Sequence, residues 1–129
     1  MIFIGERVNA GFKEIKQAIL DRDGDVIKAT ARKQADAGAT YIDVNLGTAS
    51  NKPEDLCWMI EMVQEEVDLP ISIDNNKSVM VKEAIQVCKQ PPLINSTTAL
   101  TFSGVPINSS ELGLTNGVMF TAPRRPESA

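Results

Sequence analysis

A chain of 129 residues, 43% hydrophobic and 23% charged, is long enough for one domain with a buried core and too short for two ordinary ones. A net charge of −4 lacks the basic face that non-specific nucleic-acid binding requires, and no stretch nears the roughly 18 consecutive apolar residues of a membrane span. Histidine is absent, which excludes Ser-His-Asp and Cys-His catalysis and histidine-ligated zinc and leaves polar chemistry to Asp, Glu, Asn, Lys, Ser, Thr, Tyr or backbone.

Residues 1–4 are apolar and β-prone, so a first strand is expected there, with Gly5-Glu6-Arg7-Val8-Asn9 as its polar outlet. Ile15, Ala18 and Ile19 mark a short helix over residues 13–20. A second helix is expected over 25–37, with Val26, Ile27, Ala31 and Ala35 on one face and Lys28, Arg32 and Lys33 on the other. Gly38 suits the position just past its end. Thr40-Tyr41-Ile42-Asp43-Val44-Asn45-Leu46-Gly47 alternates and predicts a second strand with Asp43 and Asn45 on one side.

Ser50, Pro53, Glu54 and Asp55 together read as a helix start: a cap, a first-turn proline and two acids. That helix runs to about residue 67, with Leu56, Ile60, Val63 and Val67 facing the core. A β-branched run, Ile71 to Ile73, then ends in Asp74-Asn75-Asn76. Val81, Ala84, Ile85 and Cys88 share a face of the next helix, which Pro91-Pro92 ends. Leu93-Ile94-Asn95-Ser96-Thr97 is a short fourth strand. Residues 99–129 are rich in Gly, Pro, Ser and Thr, show no helix period, and are expected to form an irregular tail. Cys57 and Cys88 lie in helical patterns as small hydrophobes, fitting a reducing compartment, and the N-terminus carries no secretory signature, so a cytoplasmic location is expected.

Strands alternating with helices in this way imply a parallel sheet with right-handed crossovers, either an open doubly wound sheet or a TIM barrel. In both, function collects at the carboxyl ends of the strands. There the sequence places Glu6 and Asn9, Asp43 and Asn45, Asp74, Asn75 and Asn76, and Asn95 and Ser96. A rim of carboxylates and amides suits a neutral heteroaromatic ligand: a carboxylate accepts two parallel N–H bonds, and an Asn amide donates and accepts at once. The same residues are also favoured after strands simply as turn and cap residues. Asp43, Asp74 and Glu6 as oxygen ligands for Mg²⁺ are a weaker reading, because the amides dilute the charge; no metal is expected. A phosphate cradle is absent.

The motifs Ile4-Gly5-Glu6-Arg7-Val8-Asn9, Ile42-Asp43-Val44-Asn45-Leu46-Gly47, Ile73-Asp74-Asn75 and Leu93-Ile94-Asn95-Ser96-Thr97 resemble, in order and spacing, those of the pterin-binding methyltransferases. The resemblance is strongest to methyltetrahydrofolate:corrinoid protein methyltransferases and the folate module of cobalamin-dependent methionine synthase. Dihydropteroate synthase is more distant. The resemblance covers residues 1–98 and implies an α/β chain of the TIM (β/α)8 barrel family, here its first four β/α units, followed by the tail. It implies methyl transfer from N5 of methyltetrahydrofolate, as substrate, to the cobalt of a corrinoid (cobalamin) carried by a partner protein or domain. On that pattern Asp74 and Asn95 hold the pterin, Asp43 and Asn45 line the pocket, and Glu6, Asn9, Asn75 and Ser96 stand on the rim.

Such a barrel takes about 250 residues, so the chain is expected to hold about half of one and to be inactive alone, with no catalytic residue assignable. A homodimer of two halves is one route to closure. The alternatives are a non-catalytic pterin-binding module and, less favoured for want of a Lys/Arg pair for pyrophosphate, a dihydropteroate synthase-like enzyme.

Overall fold

The structure, a computed structural model, describes residues 1–95 and the backbone of three short strands beyond them. Helices form where apolar residues recur at three and four, and strands where β-branched runs lie between polar breaks. The elements are β1 (Ile4–Asn9), α1 (Lys13–Asp21), α2 (Gly24–Asp36), β2 (Tyr41–Asn45), α3 (Pro53–Glu66), β3 (Ile71–Asp74), α4 (Ser78–Val87) and β4 (Leu93–Asn95). Then come β5 (Thr101–Phe102), β6 (Val105–Pro106) and β7 (Met119–Thr121), three strands that the composition of the expected tail does not announce. Strands of two or three residues are too short to show an alternation.

The first four strands are parallel and lie in sequence order, β1-β2-β3-β4, and β7 joins β4 antiparallel. The sequence-order arrangement has no reversal, unlike an open doubly wound sheet, and right-handed crossovers then carry the helices to one face. On that face Ile42, Val44, Ile71, Ile73 and Ile94, each fully buried, pack with Ile27 and Ala31 of α2, Leu56, Ile60 and Val63 of α3, and Val81 and Ala84 of α4. The expected helix faces pack into the core, with Val26, Ala35 and Ile85 only partly buried at its margin and Met59 and Met80 added. Each Leu, Ile or Met so buried contributes about 1.5–3 kcal/mol relative to exposure.

Local signals act largely as expected. Gly38 follows the α2 C-cap at φ 101°, a conformation that favours glycine. Pro53 opens α3, with Glu54 and Asp55 in its first turn. Ser50 is not the α3 cap. The cap position is Lys52, and the Ser50 hydroxyl accepts the Lys52 N–H at 3.0 Å and donates to Asp55. It stands two residues too early to reach the first free N–H groups of the helix.

The main correction concerns the first strand, expected over residues 1–4. The ladder runs instead over Ile4–Asn9, and Met1, Ile2 and Phe3 are exposed. Polar Glu6 and Arg7 read as an outlet, yet they stay in the strand because a β-bulge lies between Gly5 and Val8. Among the described residues, the buried polar side chains are Asp43 and Ser72. Both lie on adjacent strands facing away from the helices, and they locate the site.

Candidate functional site

Parallel pairing sets Asp43 opposite Ser72, and Asp74 opposite Asn95. Alternation then turns Asp43, Ser72 and Asp74 to one face while Ile42, Val44, Ile71 and Ile73 pack on the other. The Ser72 hydroxyl donates to Asp43 Oδ1 at 2.7 Å, and Asn95 Nδ2 donates to the same oxygen at 3.1 Å. Asp43 is only 1% exposed, and burial pushes its carboxyl up to about 7 from 3.8; the charge of Asp74, and a hydrogen bond that the protonated acid makes with it, push the same way. The bonds from Ser72 and Asn95 favour the anion but do not offset burial. With Oδ1 taken by two donors, Oδ2 is the atom left to hold a proton. Near neutral pH Asp43 is therefore poised between its protonated and ionised forms, able to donate or accept beside the half-buried Asp74.

A cleft of about 470 Å³ opens above the pair, lined by Ile4, Glu6, Arg7, Asn9, Phe12, Asp43 and Asp74. That volume lies within the range of small-molecule sites. Arg7 and Phe12 form one wall, the guanidinium 4.0 Å from the ring centroid and also 3.8 Å from a Glu14 oxygen.

Of the expected site residues, Glu6, Asn9, Asp43 and Asp74 meet on the cleft wall. Asn95 stands behind Asp43 and acts on it. Asn9, Asn45 and Asn75 each accept a backbone N–H two residues on, from Gly11 at 2.7 Å, Gly47 at 2.8 Å and Lys77 at 2.9 Å. These are the Asx turns that the plainer reading of the sequence foresees. Asn9 alone of the three also reaches the cleft. Ser96 lies outside the described residues, and among those residues no three acids or thiols gather as a metal-ligand set.

Sequence reasoning missed Ser72, Arg7 and Phe12. Ser72 had a signal: a hydroxyl inside a β-branched run, two residues before Asp74 and so on its face. Arg7 and Phe12 had none, since their meeting depends on the bulge and on the turn after β1.

The carboxylate pair with its amide and hydroxyl donors, at the carboxyl edge of a parallel sheet, can both accept from and donate to the edge of a heterocycle. The chain matches the model of a family described as pterin binding enzyme over residues 5–128. It belongs to the pterin binding enzyme family. It is also 43% identical over 99 residues to a methylcorrinoid:tetrahydrofolate methyltransferase of Eubacterium limosum, a match covering 76% of this chain and 36% of that protein. The chain thus spans about a third of the length of this curated relative. The family match runs on to residue 128, past residue 98, where the regular alternation of strands and helices ends in the sequence.

Proposed function

We propose that the cleft holds the pterin ring of a reduced folate. The whole protein would then move a methyl group between N5 of tetrahydrofolate and a corrinoid cobalt presented by a partner protein or domain. The observation that carries this reading is the pair of acids on the cleft wall, Asp43 and Asp74, with Ser72 and Asn95 fixing Asp43 by hydrogen bonds to one oxygen. The Asp74 carboxylate accepts the paired N–H groups of a 2-amino-pyrimidinone edge, and Asp43, when it carries its proton, offers a donor to a ring oxygen or nitrogen. Glu6 and Asn9 supply the opposite wall. Asn45 and Asn75 complete the rim through their turns, and Ser96, which lies outside the described residues, is proposed as a further rim residue. The corrinoid, when presented, supplies the nucleophilic or methyl-bearing cobalt; this chain binds and orients the folate.

The relative's name puts the methyl group on the corrinoid and tetrahydrofolate as acceptor. The transfer shares one transition state in both directions, so the same contacts serve whichever way the methyl moves. N5 needs a proton or hydrogen-bond donor as its bond to the methyl forms or breaks. No residue is assigned to that task.

On this reading residues 1–98 are the first half of a TIM barrel in the cytoplasm, and residues 99–129 a separate tail. Strand order without reversal supports the barrel. The antiparallel seat of β7 on β4, where a barrel adds a parallel strand, favours a second reading: a module that binds pterin without performing the transfer by itself.

Titration of the chain with methyltetrahydrofolate tests the proposal. Binding is expected, and Asp74→Ala is expected to lower affinity by about 100-fold or more, because a paired carboxylate contact is lost, with the circular dichroism of the fold unchanged. Equal affinity in wild type and variant removes Asp74 from the site. Tighter binding of a hydroxymethyl-dihydropterin pyrophosphate would assign the cleft to a dihydropteroate synthase-like condensation instead.

A further inference from the structure

Glu6 and Asn9 are three residues apart in one strand, and both line the cleft. An odd separation in a regular strand puts two side chains on opposite faces. The bulge resolves the conflict. Gly5 pairs with Ile42 and Val8 with Val44, so Glu6 and Arg7 together stand opposite Asp43 alone. Before the bulge, Ile4 and Glu6 face the cleft and Gly5 faces the helices. After it, Val8 faces the helices, fully buried in the core, and Asn9 faces the cleft.

The extra residue leaves an N–H without a ladder partner, and a side chain far along the chain takes it. Arg7 N–H donates to Gln34 Oε1 of α2 at 2.8 Å. The Gln34 amide reaches the strand only because Gly5 has no side chain: a Cβ there would lie 2.6 Å from Gln34 Oε1 and 2.8 Å from its Cδ. The same amide keeps its Nε2 buried with no partner among the described residues. Such a group is costly, and native proteins keep few of them. Here the amide oxygen is what the arrangement delivers.

We propose that Gln34 and Gly5 are a positioning pair for the cleft: the Gln34 side-chain oxygen holds the β1 bulge in place, and the bulge turns Glu6 and Asn9 together toward the ligand. Neither residue touches the ligand. Without the oxygen the strand relaxes toward a regular ladder, and a shift of one residue turns Glu6 or Asn9 to the other face. The consequence for affinity rests on the reading of the cleft as a pterin site; the consequence for the strand does not.

The test combines amide hydrogen exchange at Arg7, read by NMR, with titration by methyltetrahydrofolate. Gln34→Met keeps the length and removes the acceptor. It is expected to speed exchange at Arg7 by about tenfold or more and to weaken binding by about tenfold, the usual scale for one lost hydrogen bond in a positioned site. Gln34→Glu keeps an oxygen in place and is expected to restore both toward wild type, which a role in packing alone does not predict. Gly5→Ala pushes the oxygen away while leaving Gln34 intact and is expected to behave like Gln34→Met; it and Gln34→Glu carry the test if Gln34→Met does not fold. Wild-type exchange at Arg7 in both Gln34→Met and Gly5→Ala overturns the proposal, as does a Gln34→Glu protein no better than Gln34→Met. If the wild-type chain does not bind methyltetrahydrofolate, the pterin reading fails, and exchange at Arg7 alone decides whether the pair holds the bulge.

Discussion

Asp43 carries two consequences that a surface carboxylate does not. Its proton is held to about pH 7 in the folded chain and released near 3.8 when burial is lost. Between those values the folded state binds a proton that the unfolded state has given up, so stability falls as pH rises through this window. The full effect is on the order of a few kcal/mol, about 1.4 kcal/mol per pH unit. Asp43→Asn, which cannot ionise, is expected to flatten the change in urea-unfolding free energy between pH 5 and pH 8 and to be more stable than wild type at pH 8. A variant with the wild-type slope would show that another group sets it. Cys57 lies at the other extreme. Burial, and then Glu83, Glu61 and Glu54, push its thiol up to about 11, so it stays protonated and unreactive at neutral pH.

At the scale of elements, α3 shows which sequence signals suffice. Leu56, Met59, Ile60 and Val63 recur at three and four and are fully buried, and no other arrangement of a fourteen-residue helix hides all four. Ile60→Ala is expected to cost about 2–5 kcal/mol in chemical denaturation, whereas Glu61→Ala on the exposed face should change stability by less than about 0.5 kcal/mol. Comparable losses at the two positions would contradict the packing. The ion pairs between α2 and α3, Lys28 with Glu65 at 3.2 Å and Arg32 with Glu66 at 3.7 Å, are half exposed and add little. β1 shows where such signals fail. Its alternation breaks at Glu6 and Arg7, which reads as the end of a strand, and the partner that keeps the strand going is Gln34 on a different element.

For the whole molecule, the decisive fact is the strand order. Four parallel strands in sequence order bring Glu6, Asn9, Asp43 and Asp74 to one edge, and among the described residues β1 pairs with β2 alone. The described sheet supplies a pocket wall and no donor assigned to N5. The chain alone is therefore expected to bind methyltetrahydrofolate without methylating a reduced corrinoid, measured by the absorbance change of the cobalt. Transfer at the rate of a full-length relative would show that these residues suffice. Sedimentation at the same concentrations tells whether a second copy takes part.

The α/β alternation, the faces of α2, α3 and α4, the stop at Gly38, and the acids and amides that follow the strands are legible in the order of the residues alone. Periodicity and turn chemistry are local properties, carried by residues a few positions apart. The rest depends on contacts between distant elements. The tertiary structure set Asp43 rather than Asp74 at the buried centre, because pairing with Ser72 and Asn95 depends on the register between strands. It also assigned the amides of Asn45 and Asn75 to turns. It kept Glu6 and Asn9 on one face through a bulge held by Gln34, a contact between residues far apart in the chain that no local pattern records.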